Sequence, residues 1–248
     1  MKVFRRGDAG FLEEVAGFDL LTVDSPDIVV AVTSAADVAA ALRLGRPVSV
    51  VSTGHGAGAP VTRGVMISTR GLRGVRIDGG RAIVGAGGTW GALVAAAAPH
   101  GLAPMTGSSP GVGVVGLIGG GGFGPLSRAF GLASDWVRGL QVVTAAGEIV
   151  TASATENAGL FWAFLGGKVG LGIVTEVELE LVPIPSLYAG SLAFDKAHVD
   201  AVMRGWAGWT RGLPDNACSS IAIMASRADY DACFSPVQAA RFAAERET

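Results

Sequence analysis

The feature that most constrains this chain is glycine, which is concentrated in two separate loops. One is the segment GSSPGVGVVGLIGGGGFGPLSR at residues 107–128, and the other surrounds a histidine in STGHGAG at residues 52–58. Because glycine has no side chain, a glycine-rich loop lets the backbone approach a flat or anionic group closely. Apolar, strand-like runs border both loops, so the sequence predicts a bound cofactor held between ordered elements.

The composition is typical of a globular protein. Half of the 248 residues are hydrophobic, enough for a substantial core, and the formal net charge is −2. Lysines and arginines are scattered singly, so we expect no nucleic-acid partner. No apolar run approaches the roughly 20 residues of a membrane span, and charged residues follow Met1 closely. We therefore expect a cytoplasmic protein without membrane association.

Cysteine and histidine are too sparse to predict a metal site. Cys218 and Cys233 have no histidine at ligand spacing, and His55, His100 and His198 are far apart in the sequence. Free thiols are therefore favoured over a disulfide or a zinc site.

The first part of the chain predicts a strand, a helix and a second strand. A β-branched run at residues 27–33 precedes Ser34, which can cap a helix over residues 35–43. Residues 47–52 then read as a buried strand that leads into the loop holding His55. Because α/β folds commonly bind ligands beyond the carboxyl ends of strands, this loop is well placed for chemistry.

Short strands are predicted next. Residues 65–68, 75–77 and 81–86 are apolar runs separated by glycines, a pattern that predicts a meander. Thr89 can cap a further helix over residues 90–98. Glycine-dense sequence then begins at residue 107.

The region after residue 135 predicts a hairpin, a helix and a half-exposed strand. The hairpin pairs residues 136–144 with 148–152, and residues 173–182 alternate apolar with acidic side chains. Between them lies a short helix on which we expect Phe161 and Trp162 to be core aromatics.

Prolines at 183 and 185 mark a predicted domain boundary. Beyond it, residues 188–194 and 219–224 read as strands on either side of a helix at 196–209, so a second α/β unit begins. Residues 225–248 lose strand patterning, which favours a truncated or altered end. Because the two strands would lack neighbours, we expect the chain to self-associate or to aggregate.

The sequence GVGVVG at residues 111–116 matches the dinucleotide-binding pattern G-x-G-x-x-G. That pattern needs a strand before it and a helix that opens within it. Here Ser-Ser-Pro precedes it, and glycines at residues 119–122 stand where the helix should continue. We therefore reject a Rossmann fold.

His55 has two interpretations. It can be an ordinary loop imidazole, or it can contact a ligand directly. Glycines at 54, 56 and 58 leave its ring unshielded, so a flat ligand could approach it and even bond to it.

The motifs also form an ordered series along residues 4–183. They are the strand and helix at 27–38, the strand and histidine loop at 47–56, GAGGTW at 85–90, the glycine-rich stretch at 107–131, Asp135 with VVTAAG at 142–147, LFWA at 160–163 and GIVT at 172–175. In this order they resemble FAD-linked oxidases with a PCMH-type FAD-binding domain, in the berberine bridge enzyme-like branch of the vanillyl-alcohol oxidase superfamily.

The resemblance implies an α+β fold in three parts. A PCMH-type, two-subdomain FAD-binding domain would occupy residues 1–183, the beginning of an α/β substrate domain would occupy 184–224, and an atypical tail would occupy 225–248.

The resemblance also implies FAD that is covalently bound through an 8α-histidyl link to His55. The backbone of the surrounding loop would hold the pyrophosphate, and this loop comprises Val51, Ser52, Thr53, Gly54, His55, Gly56 and Ala57. Bicovalent members make a second link through a cysteine in the turn that here contains Gly107, Ser108 and Ser109. Since Ser109 stands in the place of that cysteine, a single link is expected.

Further positions carry roles by resemblance alone. Val112 would gate the access of O2 to the flavin, Ile173 and Val174 would meet the adenine end, and the isoalloxazine ring and ribityl chain would be lined by Gly113, Gly116, Leu117, Gly119, Phe123 and Gly124. The sequence GGKVG at residues 166–170 departs from the family's Arg-Gly-Gly-Gly-Gly-Asn-Phe-Gly. Neither Tyr188 nor Tyr230 lies in the family's catalytic tyrosine context, so no general base is assigned.

The expected activity is that of an FAD-dependent oxidoreductase. A hydride would pass from a substrate C–H group of the alcohol, sugar or amine type to FAD, and O2 would reoxidise the flavin. Two alternatives stay open. One is a flavin-binding fragment without turnover, and the other is a noncovalent PCMH-type flavin reductase in which His55 is incidental.

Overall fold

A computed structural model describes residues 1–19, 21–56, 58–168 and 170–224. Its strands are β1 (Lys2–Arg5), β2 (Ile28–Ala31), β3 (Val48–Val51), β4 (Val65–Ser68), β5 (Val75–Asp78), β6 (Arg81–Gly85), β7 (Leu102–Ala103), β8 (Val137–Val143), β9 (Ile149–Ser153), β10 (Ile173–Glu180) and β11 (Val182–Pro183). Its α-helices are α1 (Phe11–Val15), α2 (Ala35–Leu42), α3 (Trp90–Ala97), α4 (Val114–Gly119), α5 (Ser127–Phe130), α6 (Ala158–Gly167) and α7 (Val199–Trp209). This mixed content confirms the α+β class. Over the described ranges, no helix has the length and apolar character needed to cross a membrane.

A four-stranded sheet with the order β1-β2-β4-β3 forms the first layer of the fold. Strands β2, β4 and β3 are parallel, and all four residues of β4 are buried. Helix α2 covers one face of this sheet with Val38 and Ala39. Its predicted cap is confirmed, because the Ser34 hydroxyl accepts a hydrogen bond of 3.2 Å from the backbone N–H of Asp37.

Two strand predictions in this region are wrong. Strand β3 was expected to be buried, but it is an edge strand in which Val48 and Val50 are exposed and only Val51 is buried. The predicted meander does not form either, since β4 belongs to the parallel sheet while β5 and β6 pair in another sheet. Short apolar runs indicate extended backbone but do not specify their pairing partners.

An antiparallel five-stranded sheet with the order β5-β6-β10-β8-β9 forms the second layer. The predicted hairpin of β8 and β9 is confirmed. The predicted strand β10 forms too, but it is mostly buried at the centre of the sheet, and Glu176 is its one exposed residue. Helices α3 and α4 pack on the core of this sheet through Trp90, Leu93, Val114 and Ile118, which are all buried. Thr89 caps α3 as predicted, by accepting a hydrogen bond from the N–H of Ala92.

Helix α6 corrects one side-chain prediction. Phe164 is its buried residue, and Phe161 packs against the same core from a half-buried position. Trp162 was expected in the core, but it is 79% exposed. Only one face of a surface helix can reach the core, and Trp162 lies outside that face.

The described chain divides into a compact unit at Met1–Tyr188 and a second unit that begins at Ala189. The helix predicted over 196–209 is confirmed by α7 and the 3-10 turn Lys196–His198 that precedes it. The strands predicted at 188–194 and 219–224 are wrong, because the described backbone forms no strand there. An isolated strand needs a partner to satisfy its backbone groups, and Leu192 and Ile223 are exposed instead. The domain boundaries and self-association stay predictions, and residues 225–248 lie outside the described ranges.

Candidate functional site

The loop that carries His55 begins where β3 ends and is held by the rest of the first unit. The Ser52 hydroxyl donates to the Ala86 carbonyl at 3.1 Å, and the Ser52 carbonyl accepts from the Arg70 guanidinium at 2.7 Å. On the other side, Phe18 N–H donates to the Thr53 carbonyl at 3.0 Å. These bonds fix the backbone on both sides of the loop. Ala57, the last residue assigned to it, lies outside the described residues.

The imidazole of His55 is half-buried between protein groups. Its ring stacks on the ring of Phe18, with centroids 4.0 Å apart and an interplanar angle of 9°. Its Nδ1 lies 2.9 Å from Thr53 Oγ1. Burial lowers the pKa of His55 below its ordinary value of 6.5, so the neutral imidazole is favoured at physiological pH. A neutral imidazole keeps one nitrogen lone pair, which a bond to a ligand requires.

The first part of the glycine-rich segment is attached to the beginning of α3. The carbonyls of Pro110 and Val112 accept from the backbone N–H groups of Gly91 and Trp90, at 2.8 and 3.0 Å. Val112 itself is half-buried and packs against the core of the five-stranded sheet. The turn around Ser109 is thereby fixed to a helix.

The two loops meet at Thr53. Its Oγ1 accepts a 3.3 Å hydrogen bond from the N–H of Gly113, in addition to its contact with His55. Beside this bond, His55 Nε2 lies 3.7 Å from the position that a Cβ would take at Gly111. Thr53 therefore sets both the distance between the loops and the orientation of the imidazole.

Helix α4 begins inside the sequence GVGVVG, at Val114. The expectation that no helix opens within this motif is therefore wrong. The rejection of a Rossmann fold stands, because Gly113 itself forms an isolated antiparallel bridge with Thr89, and the described residues 104–112 form no strand that leads into the motif. On this helix, a Cβ at Gly116 would meet nothing within 4 Å, so its backbone faces open space.

The other predicted site residues lie in different surroundings. Phe123 is 70% exposed, whereas Gly124 is buried with its backbone against the Thr106 carbonyl. Ile173 and Val174 are buried in separate cores, so any ligand contact at these positions falls to the backbone. Leu117 and Gly119 lie half-buried on α4, and the Leu117 side chain is 3.0 Å from the position of a Cβ at Gly107. Ser108, next to Gly107, is exposed.

Three residues of the site were missed by sequence reasoning. Phe18 stacks on His55, Arg70 holds the loop carbonyl of Ser52, and Lys168 places its Nζ 3.1 Å from the position of a Cβ at Gly56. Phe18 and Arg70 stand in segments that form no recognisable motif. Lys168 could have been noticed, because it interrupts a run of glycines.

A family model described as an FAD binding domain matches residues 26–153. The chain is 38% identical to (R)-6-hydroxynicotine oxidase of Paenarthrobacter nicotinovorans, over 72% of this chain and 41% of that protein. The family-model match covers strands β2, β3 and β4 of the four-stranded sheet, both site loops and α4.

Two solved structures share the fold. A glucooligosaccharide oxidase from Acremonium strictum, described with a 6-S-cysteinyl, 8α-N1-histidyl FAD, has a TM-score of 0.68 and 30% identity over 73% of this chain and 40% of its own. The berberine bridge enzyme-like protein 1 of Physcomitrella patens has a TM-score of 0.67 and 28% identity over 73% and 42%. The chain thus spans about two fifths of the length of these relatives. It belongs to the FAD-binding domain family, of the PCMH type found in berberine bridge enzyme-like and vanillyl-alcohol oxidase-type proteins.

Proposed function

We propose that this chain binds FAD, holds it covalently through His55 and forms the flavin-binding part of an oxidoreductase. The observation that carries the proposal is the convergence of the His55 loop and the glycine-rich segment at Thr53 Oγ1. The glucooligosaccharide oxidase supports it, since that protein is described with a histidyl-linked flavin.

The residues present fit a large, flat and partly anionic group. At Gly116 and Gly58 the space that a Cβ would take is open, and at Gly111 the neighbour is the His55 ring itself. Beside the imidazole, the backbone at Gly111 therefore presents no side chain of its own. In such a loop, backbone N–H groups are available donors for a pyrophosphate.

Each part of the site has a task in this proposal. His55, whose burial favours the neutral imidazole, would supply the nitrogen that replaces one hydrogen of the flavin 8α-methyl group, and the two electrons that this leaves on the flavin would pass to O2. Thr53 and Phe18 hold the His55 ring in place. Ser109 has no thiol, so one link is expected. A bound FAD would supply the hydride acceptor for an alcohol, sugar or amine C–H group and a route for the electrons to O2. Val112, as a small side chain, leaves the approach of O2 open.

The experiment is to purify the chain from riboflavin-fed cells and to challenge it anaerobically with secondary amines, free sugars and alcohols. We expect flavin to co-purify with the chain. One of these substrate classes should bleach the yellow absorbance of the flavin, and admitting air should restore it. Val112→Leu should slow the restoration after photoreduction, and Val112→Ala should not. Equal rates for both variants and the wild type would remove Val112 from the gating role.

A second candidate is flavin binding without turnover. Among the described residues, the one tyrosine is Tyr188, which is fully exposed at the end of the first unit. An exposed tyrosine does not have the surroundings of a catalytic base, which favours this second candidate. The same experiment separates the candidates. Bound flavin that photoreduces but is bleached by no substrate class would favour this second candidate.

A further inference from the structure

Lys168 is a lysine in a backbone conformation that favours glycine. Its φ is +59°, in the left-handed region that few residues other than glycine and asparagine adopt. Its neighbours Gly166, Gly170 and Gly172 also have positive φ. A bulky charged residue therefore stands in a run of chain whose backbone conformation suits glycine. Such a strained position suggests that the lysine side chain makes a functional contact.

The side chain of Lys168 reaches both parts of the site. Its Nζ lies 3.1 Å from the position of a Cβ at Gly56, directly after His55. Its Cγ lies 3.6 Å from the corresponding position at Gly119, on α4. Among the ion pairs of the described residues, none involves Lys168. The exposed ammonium group thus lies beside Gly56 of the His55 loop, while the stem of the side chain lies beside Gly119 of α4.

We propose that Lys168 binds the pyrophosphate of FAD. The inference rests on the proposed function, in which the loop around Gly56 holds the pyrophosphate and α4 lines the ribityl chain. The pyrophosphate is the anionic group of oxidised FAD, and an ammonium next to backbone donors strengthens anion binding. The flanking Gly166, Gly167 and Gly170 have no side chains, so in this proposal Lys168 adds a charged contact to a run that otherwise offers backbone alone.

The alternative is that the Lys168 charge lies next to the isoalloxazine ring instead of the pyrophosphate. Two ligands, riboflavin and FAD, distinguish these two positions. Riboflavin has the ring and the ribityl chain without phosphate, whereas FAD has all three groups. A charge on the pyrophosphate strengthens the binding of FAD alone. A charge on the ring strengthens the binding of both ligands.

The test measures dissociation constants in a His55→Ala background, where binding is reversible. FAD and riboflavin are titrated into H55A, H55A/K168Q, H55A/K168R and H55A/K168G, with ligand fluorescence as the readout. H55A/K2Q is the matched control, since it removes one lysine from the opposite edge strand. Glycine at 168 accepts the positive φ, so K168G separates loss of charge from backbone strain.

We expect K168Q and K168G to weaken FAD binding by about fivefold at low salt and to leave riboflavin binding unchanged. K168R should retain most of the affinity, and the difference should shrink in 0.5 M salt, where the Debye length is only a few Å. Equal losses for FAD and riboflavin, or unchanged FAD binding in K168Q, would overturn the inference alone. Failure of both wild-type and H55A protein to bind FAD would overturn the proposed function as well.

Discussion

The glycines of the two site loops fall into two groups with different physical roles. Gly54 and Gly124 are packed against neighbouring backbone, and a Cβ there would overlap the Gly17 Cα and the Thr106 carbonyl oxygen, respectively. Gly116 and Gly58 face open space. The first group is required by the fold, and the second leaves room for a ligand. Glycine content alone therefore locates the site only roughly, and the surroundings of each glycine refine it.

Gly124→Ala should have the largest effect on stability. The residue is buried, and the added methyl would overlap the backbone at Thr106, which cannot rotate away. We expect a loss of about 3 kcal/mol in the free energy of unfolding, measured by urea denaturation. A loss below about 0.5 kcal/mol would show that this glycine does not belong with the packed group.

Gly54→Ala should have the next largest effect. Its φ of +70° strains any residue with a Cβ, and the methyl would push against Gly17. We expect about 2 kcal/mol of destabilisation. Because Gly17 precedes Phe18, separation of the two segments should also slow the covalent attachment of flavin to His55, which a time course of acid-stable absorbance follows.

Gly116→Ala is the counterpart from the open group. Alanine favours a helix interior over glycine by up to about 1 kcal/mol, so α4 should be unchanged or slightly stabilised. FAD affinity should fall, because the methyl projects into the open space beside the site. The contrast with Gly54 and Gly124 disappears if Gly116→Ala loses as much free energy of unfolding as their alanine variants, or if it binds FAD as tightly as the wild type.

Phe18→Ala should change the titration of His55, with a small effect on stability. Burial depresses the pKa of His55 in the folded state below the unfolded value of 6.5. The contribution of neutral His55 to the free energy of unfolding is therefore fully present above pH 6.5, and it is lost as pH falls through the lower pKa of the folded state. Removal of the stacked ring exposes the imidazole and should raise its pKa toward 6.5. Proton NMR of the ring checks this, with His55→Gln to assign the signal.

Phe18→Leu is the control for this prediction, since it keeps an apolar side chain over the imidazole. Its His55 should titrate between those of the wild type and Phe18→Ala. An unchanged pKa in Phe18→Ala would show that the stacked ring is not the source of the burial.

Local signals in the sequence predicted much of the fold. Ser34 and Thr89 cap their helices as expected, because capping depends on neighbouring residues only. Which strands pair, and which strand lies at an edge, depends on contacts between distant segments, so the burial of β3 and the meander were predicted wrongly. The strands expected after residue 188 failed for a related reason, since an apolar run forms a strand only where a partner is present.

The candidate site shows the same difference between local sequence signals and contacts made by distant segments. Motif order and the resemblance it carried brought His55 and the glycine-rich segment to attention, and the structure joins them at Thr53. The contacts of Phe18 and Lys168 with this site arise from tertiary packing of distant segments. Phe18 belongs to no motif, and the GGKVG run marked residue 168 only as a departure from a family motif, without a role for the lysine.

The central claim is that His55 carries the flavin, and peptide mapping of the acid-precipitated protein tests it most directly. We predict that the wild-type pellet stays yellow and yields one flavin-bearing peptide, containing His55, while His55→Ala releases all its FAD into the supernatant. A colourless pellet from FAD-loaded wild-type protein, or a flavin found on a peptide with Ser109 and without His55, would contradict the account.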